Sequence, residues 1–312
     1  MMPINKAVEA NMVTAEGKAK SPTWRLLLLG LVAGAFIALG AVAASMAAHG
    51  LPSTGLIRLV TGLIFPVGLC LVILLGAELF TGNVLMLNAL FSGKISTYGL
   101  MRNWLLVFIG NFAGAIVVAA AMAFAGEVSI GGESLAIFTA KIAATKASMP
   151  WVNAFVLAIF CNLLVCAAIY MALMAKSVGG KIAAAWIPIM AFVIAGFEHS
   201  IANIYYVPAG IFTYLNPVFT QAIVDAGVNT AVLNFNTFFV NNLIPVTLGN
   251  IVGGAVIGSV LYLSHQPVGV KKKKPVHKKP GWGVALVLFR NPGKATPQIS
   301  ITSGASAKTA KT

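Results

Sequence analysis

Gly76-Ala77-Glu78-Leu79-Phe80-Thr81-Gly82-Asn83 and Gly196-Phe197-Glu198-His199-Ser200-Ile201-Ala202-Asn203 both fit G-x-E-x-x-x-x-N, and both lie in the middle of a long apolar run. The runs, 59–91 and 183–215, are too long for one membrane helix of ordinary tilt, which needs about 20 residues. Each also carries its glutamate in mid-run. Both are therefore read as helices interrupted within the membrane. A second match follows each break: Asn103 then Gly110-Asn111-Phe112-Ala113-Gly114, and Asn242 then Gly249-Asn250-Ile251-Val252-Gly253, with the same eight-residue step between the two asparagines. Two matches in one order make an internal repeat. A break frees backbone N–H and C=O groups, tolerable at membrane depth only inside protein or beside a wet cavity. Interrupted helices in inverted repeats place a permeation site near the midplane.

Four further apolar runs, 26–48, 103–125, 150–175 and 238–264, complete a set of six. Two units of three crossings must have opposite topologies, because an odd number of crossings reverses direction. The expected fold is an all-α membrane protein: six transmembrane helices in two inverted repeats, with spans 2 and 5 interrupted. Composition agrees. Of 312 residues, 59% are apolar and 9% charged, against about 25% charged in soluble domains. That excludes a disordered chain, a nucleic-acid-binding module and an ordinary soluble enzyme. Cys70, Cys161 and Cys166 all lie in apolar runs without metal-ligand spacing, so neither a disulfide framework nor a metal site is expected. No cofactor is expected.

The chain divides into an N-terminal cytoplasmic segment (1–25), a six-span channel domain (26–265) and a basic cytoplasmic tail (266–312) that reads as disordered. The polar first segment, with Glu9 and Glu16, argues against a cleavable signal peptide. With the N-terminus inside, 18 of the 21 basic residues fall on the cytoplasmic side, leaving Arg58, Lys141 and Lys146 outside. Both termini are thus expected in the cytoplasm of a cell with the protein in its inner or plasma membrane. The net charge of +14 is concentrated in the tail, where Lys271–Lys279 reads KKKKPVHKK. That stretch suits a polybasic contact with anionic membrane lipid better than a recruitment site, and no nucleic-acid partner is implied. The run Trp282–Phe289 is too short to span.

Ionisable residues inside a membrane mark function. Glu78 and Glu198 start the breaks, where their carboxylates are expected to accept hydrogen bonds from freed backbone N–H groups. His199 follows the second break and can donate to a passing solute. Thr81 offers a hydroxyl from the first break. Lys146 precedes span 4 near the outer mouth, where a cation attracts anions. Asn111, Asn162 and Asn250 lie deep in spans, where interhelical hydrogen bonds are the usual role. Gly30-x-x-x-Gly34 and Gly110-x-x-x-Gly114 suit close helix packing.

The segments 76–84, 103–115, 161–166, 196–210 and 241–254 closely resemble the formate/nitrite transporter family, in the right order across about 60 to 265. The resemblance implies an aquaporin-like fold of six spans with inverted repeats, assembled as a homopentamer with one pore per protomer and passing formate, nitrite or hydrosulfide. It matches the family's central histidine to His199, its loop threonine to Thr81, its pore-mouth lysine to Lys146 and its pore asparagines to Asn162 and Asn250. The apolar constrictions match Phe65, Leu69, Val165 and Phe192. The 216–236 loop and the lysine-rich tail fall outside the pattern. Formate is favoured, with protons as a second partner: a bare anion is disfavoured in an apolar constriction, and a proton from water or from His199 would let it cross as the acid. The rivals fit less well. Asp225 is the sole aspartate, which removes a paired-aspartate membrane protease, and no Asn-Pro-Ala repeat of a neutral-solute channel occurs.

Overall fold

Two glycines decide where the long helices stop. In a computed structural model describing residues 1–265, with the side chains of 127–129 excepted, Gly76 has φ 68° and Gly196 φ 75°. This left-handed conformation costs glycine nothing and closes a helix end. After each glycine come three residues outside any helix, ending in extended Leu79 (φ −109°, ψ 124°) and His199 (φ −116°, ψ 117°). Helix resumes at Phe80 and at Ser200. The tail readings for 266–312 fall outside the described residues.

Among the described residues, six helices are long and apolar enough to cross a membrane, as the sequence predicts: Thr23–Ala48, Thr54–Leu75, Thr97–Gly126, Trp151–Met174, Val178–Ala195 and Phe235–Ser264, here spans 1 to 6. Span 2 continues past its break as Phe80–Phe91, and span 5 as Ser200–Leu215. Span 2 has a further interruption at Pro66, whose missing N–H leaves one helical bond unmade. Every residue from Ser200 to Ile211 is buried, as befits a helix enclosed by others.

Two long helices besides the spans, of 17 and 16 residues, were not anticipated. Ile4–Lys20 buries Val8, Met12 and Ala15, an i, i+4, i+7 stripe too sparse to stand out in a polar segment. Its N-terminus is tied to the bundle by a bond from Met2 N–H to Met174 O of 2.8 Å. Gly132–Ala147 follows span 3 through a π-helical turn, Met122–Gly131, and buries an alanine face (Ala136, Ala140, Ala143, Ala147). That face meets Ser200–Leu215 at Gly210. Each of these two helices precedes the first span of one repeat.

Within lipid there is little hydrophobic drive for helices to associate, so small residues that allow close backbone approach do the work. Span 1 lies along span 3 with Gly34 against the Asn111 backbone and Gly114 against that of Leu31. Span 4 lies along span 6 in the same manner, with Gly249 against Phe155 and Gly253 against Ile159. The repeat thus extends from motif to packing. A Cβ on Gly34 would sit 2.7 Å from Asn111 Cα, and the backbone there cannot swing aside. Gly34→Ala is therefore expected to cost at least about 1–3 kcal/mol, read as a fall of several degrees in the thermal midpoint of detergent-solubilised protein. Gly55→Ala, whose Cβ would meet nothing within 4 Å, serves as control and is expected to hold or raise the midpoint. An unchanged midpoint for Gly34→Ala would contradict the close approach.

Candidate functional site

Both breaks are secured by an asparagine from the last span of the same repeat. Asn111 Oδ1 accepts from Phe80 N–H at 2.9 Å, while its Nδ2 donates to Gly30 O and Glu78 O, both at 2.8 Å. Asn250 repeats this: Oδ1 accepts from Ser200 N–H at 2.9 Å, and Nδ2 donates to Ala158 O at 2.8 Å and Glu198 O at 2.9 Å. The first N–H of each resumed helix therefore goes to an asparagine amide and not, as expected from sequence, to a glutamate carboxylate, while the N–H of Glu78 itself donates to Leu29 O at 3.2 Å. Asn250, expected as a pore asparagine, is fully buried with its oxygen and Nδ2 committed to backbone. Its amide serves the scaffold. Asn162 donates to Thr81 O at 3.1 Å and Asn250 O at 2.6 Å, linking the two breaks through span 4, and its buried Oδ1 has no partner.

The glutamates instead anchor two matching ionic clusters. Glu78 Oε2 accepts from Asn83 Nδ2 at 2.7 Å and lies 3.1 Å from Lys18 Nζ. Asn83 Nδ2 also donates to Asn103 Oδ1 at 2.9 Å. In the second copy Glu198 Oε2 accepts from Asn203 Nδ2 at 2.6 Å, Asn203 donates to Asn242 Oδ1 at 2.8 Å, and Lys146 Nζ meets Glu198 Oε1 at 2.8 Å. The motif residues thus lie together in space. Lys146, expected as a free cation at the mouth, is ion-paired and also lies 5.6 Å over the Tyr206 ring. The sequence reading missed Lys18. It stands five residues before span 1 as Lys146 stands five before span 4. Extending the repeat upstream would have found it.

His199 joins the two breaks. Its Nδ1 accepts from Ala202 N–H at 3.1 Å, capping the resumed helix, and its Nε2 lies 3.0 Å from Thr81 Oγ1. A nitrogen that accepts carries no proton, so the neutral ring bears its hydrogen on Nε2 and donates to Thr81. The corresponding residue of the first copy is Leu79, which caps nothing.

Two cavities flank this joint. One of about 520 Å³ is bordered by Phe65, Lys146, Phe192, Glu198, His199 and Tyr206. The other, of about 260 Å³, is bordered by Lys18, Leu69, Glu78, Leu79 and Asn83. Phe65 and Leu69 stand one helical turn apart on span 2, yet border different cavities. Phe65, Leu69, Val165 and Phe192 are all buried. Phe192 meets Phe65 edge to face at 5.9 Å and stacks on His199 at 6.0 Å. Residues expected as constrictions from both halves therefore converge beside the histidine.

Glu198 is 3% exposed beside a Lys146 side chain at 17%, so removing the lysine leaves a nearly buried charge uncompensated. Lys146→Ala is expected to destabilise the protein by about 3–5 kcal/mol. Lys146→Ala/Glu198→Gln, which removes both charges, is expected to recover a large part of this in thermal unfolding. Equal instability of the single and double variants would show that the pair is not what holds the cluster.

The description "Formate/nitrite transporter" belongs to a family model that matches residues 5–264. A probable formate transporter of Methanothermobacter thermautotrophicus is 40% identical over 270 residues, covering 80% of this chain and 91% of that protein. The formate channel FocA of Haemophilus influenzae is 40% identical over 248 residues, covering 78% and 87%. Among solved structures, a pentameric formate channel with formate bound superposes with TM-score 0.68 at 35% identity, covering 78% of this chain and 96% of that one. With the paired breaks and six spans already described, these matches place the chain in the formate/nitrite transporter family.

Proposed function

We propose that this protein is a channel for small monovalent anions, formate foremost, with one pore in each protomer of a homopentamer. The observation that carries the reading is the joint between His199 Nε2 and Thr81 Oγ1, 3.0 Å apart, set beside an apolar partition with a cavity on either side. Thr81, accepting from His199 Nε2–H, keeps its own O–H to donate to a carboxylate oxygen. Relatives named as formate channels and a pentameric formate channel of similar fold support the same reading. The protein lies in the plasma membrane with both termini in the cytoplasm, supported by the 18 of 21 basic residues on that side. The larger cavity is then the outer vestibule. Residues 26–265 form the channel domain, and the tail from 266 rests on anionic lipid of the inner leaflet.

The partition explains why a proton accompanies the anion. Phe65, Leu69 and Phe192 offer no charge to replace hydration, and such an environment favours the neutral form of a carboxylate. Formate takes a proton from vestibule water, crosses as formic acid and releases it on the far side, so one anion and one proton move together. His199 is not the standing proton source. Its Nδ1 lone pair is engaged by Ala202 N–H, so loss of the Nε2 proton would leave an imidazolate. The ring donates to Thr81 and so aims the Thr81 hydroxyl, which donates to the solute. Asn162, beneath the Thr81 carbonyl, holds that hydroxyl in place, and Asn250 supports the break behind it. This makes the protein a transporter and not an enzyme.

Initial-rate uptake of labelled formate into proteoliposomes, with nitrite and hydrosulfide as competitors, tests the reading. Formate is expected to be carried, with the other two competing less well. His199→Phe removes both donor and cap and is expected to lower flux at least about tenfold, the equivalent of 1.4 kcal/mol in a barrier. His199→Asn retains an acceptor and a donor; it is expected to keep more of the flux and the wild-type dependence on pH. Wild-type flux in His199→Phe would remove the histidine from the mechanism, and a flattened pH profile in His199→Asn would restore it as proton relay. Native mass spectrometry in mild detergent is expected to show five copies; a uniform monomer or dimer would overturn the assembly.

A further inference from the structure

The two vestibules carry different net charge. The smaller is bordered by Lys18 and Glu78, which are paired at 3.1 Å and cancel. The larger is bordered by Arg58, Lys141, Lys146 and a single carboxylate, Glu198. Lys146 and Glu198 are paired at 2.8 Å and cancel in the same way. Arg58 and Lys141 remain. Among the described residues, neither has a carboxylate within ion-pair distance. The larger cavity therefore carries two uncompensated positive charges, brought in by span 2 and by the helix Gly132–Ala147.

Arg58 is also held in place. Its Nη1 donates to Ile194 O at 3.5 Å, one of the carbonyls left free where span 5 breaks. A Cβ on Gly196 would lie 3.4 Å from Arg58 Nη2, so the guanidinium covers the left-handed glycine itself. The partial negative charge at a helix C-terminus favours a cation there. One long bond uses one of the five N–H groups of a guanidinium, and the others remain for a ligand. The walls between the two cations include Ile57, Phe138 and Phe197, and a cleft with apolar walls focuses the field of charges at its rim.

We infer that Arg58 and Lys141, not Lys146, concentrate anions in the larger vestibule and set the half-saturation and salt dependence of anion entry from that side. This rests on the anion-channel reading above. It assigns the paired Lys146 to holding Glu198 and the break, and leaves long-range attraction to the two unpaired cations. Exposed charges act across about a Debye length, roughly 8 Å at physiological ionic strength, so their contribution fades as salt rises. A divalent oxyanion is drawn to the same charges more strongly than formate.

The test compares wild type, Arg58→Gln, Lys141→Gln, the double variant and Arg58→Lys in proteoliposomes, with uptake normalised to inserted protein. At low ionic strength the double variant is expected to raise the half-saturation concentration for labelled formate about three- to tenfold, with the maximal rate kept. The gap is expected to close as potassium gluconate is added. Arg58→Lys keeps the charge and is expected to stay near wild type; a half-saturation raised as far as in Arg58→Gln would show that charge is not what Arg58 supplies and would overturn its part in the inference. Sulfate inhibition of formate uptake by the wild-type protein, strong at low salt and weak at high salt, needs no variant and covers the case in which the double variant fails to insert. Formate uptake by wild type, with half-saturation unaltered in the double variant or no salt-sensitive sulfate inhibition, overturns this inference alone. Absence of formate uptake by the wild type overturns the channel reading and this inference with it.

Discussion

A helix that stops inside a membrane must find partners for its freed backbone, since each unsatisfied group there costs several kcal/mol. The Asn111 and Asn250 amides meet that demand, and much else follows from where they must stand. To reach both the resumed helix and the glutamate carbonyl, each asparagine lies in the crossing where spans 1 and 3, or 4 and 6, come closest. Asn111 Nδ2 also donates to Gly30 O across that crossing, and Asn250 Nδ2 to Ala158 O. Hence the glycines. Gly34 and Gly249 remove the side chains that would hold the backbones apart. The motif residues and the small-residue stripes are two parts of one requirement.

The second constraint is charge. A carboxylate at the start of each break needs a counter-ion, because an unpaired buried charge is strongly disfavoured. Each repeat supplies a lysine from the helix before its first span, so that helix is needed for electrostatic reasons as well as packing. Glu78 with Lys18 and Glu198 with Lys146 are the outcome. Pairing removes net charge from both clusters, which answers the objection that fixed glutamates would repel an anion using the same route. It also strips Lys146 of the free charge that its position alone suggests.

What could be read from sequence was what the membrane forces on a chain locally. Six apolar runs, two interruptions marked by glycine and glutamate, and the repeated asparagine spacing all leave linear traces, and the structure places each as expected. What escaped was set by partners distant in sequence. Ile4–Lys20 hides because three buried positions in a polar stretch resemble noise. Gly132–Ala147 hides because alanine faces carry little hydropathy. The bonding at the breaks was misassigned for a different reason. An N–H freed by a break can be accepted by a carboxylate or by an amide, and only the crossing geometry selects the asparagine on a third helix. The loss of Lys146 as a free cation follows from a contact across 52 positions, which no local pattern records.

The two breaks are alike enough that their one clear difference is informative. Leu79 and His199 occupy the same place in the repeat, with nearly the same extended backbone. Helix resumes after Leu79 with no cap from that residue's own side chain, only the Asn111 amide on Phe80 N–H, so restarting the helix does not by itself call for an imidazole. The cap on Ala202 N–H has another consequence. It holds the ring in one orientation, keeps the proton on Nε2, and points that proton at Thr81 from the other break. A leucine there would make the two halves equivalent and leave the Thr81 hydroxyl without its partner from the other break. The departure from symmetry therefore falls at a side-chain hydrogen bond that joins the two breaks, and the backbone fixes the direction of that bond.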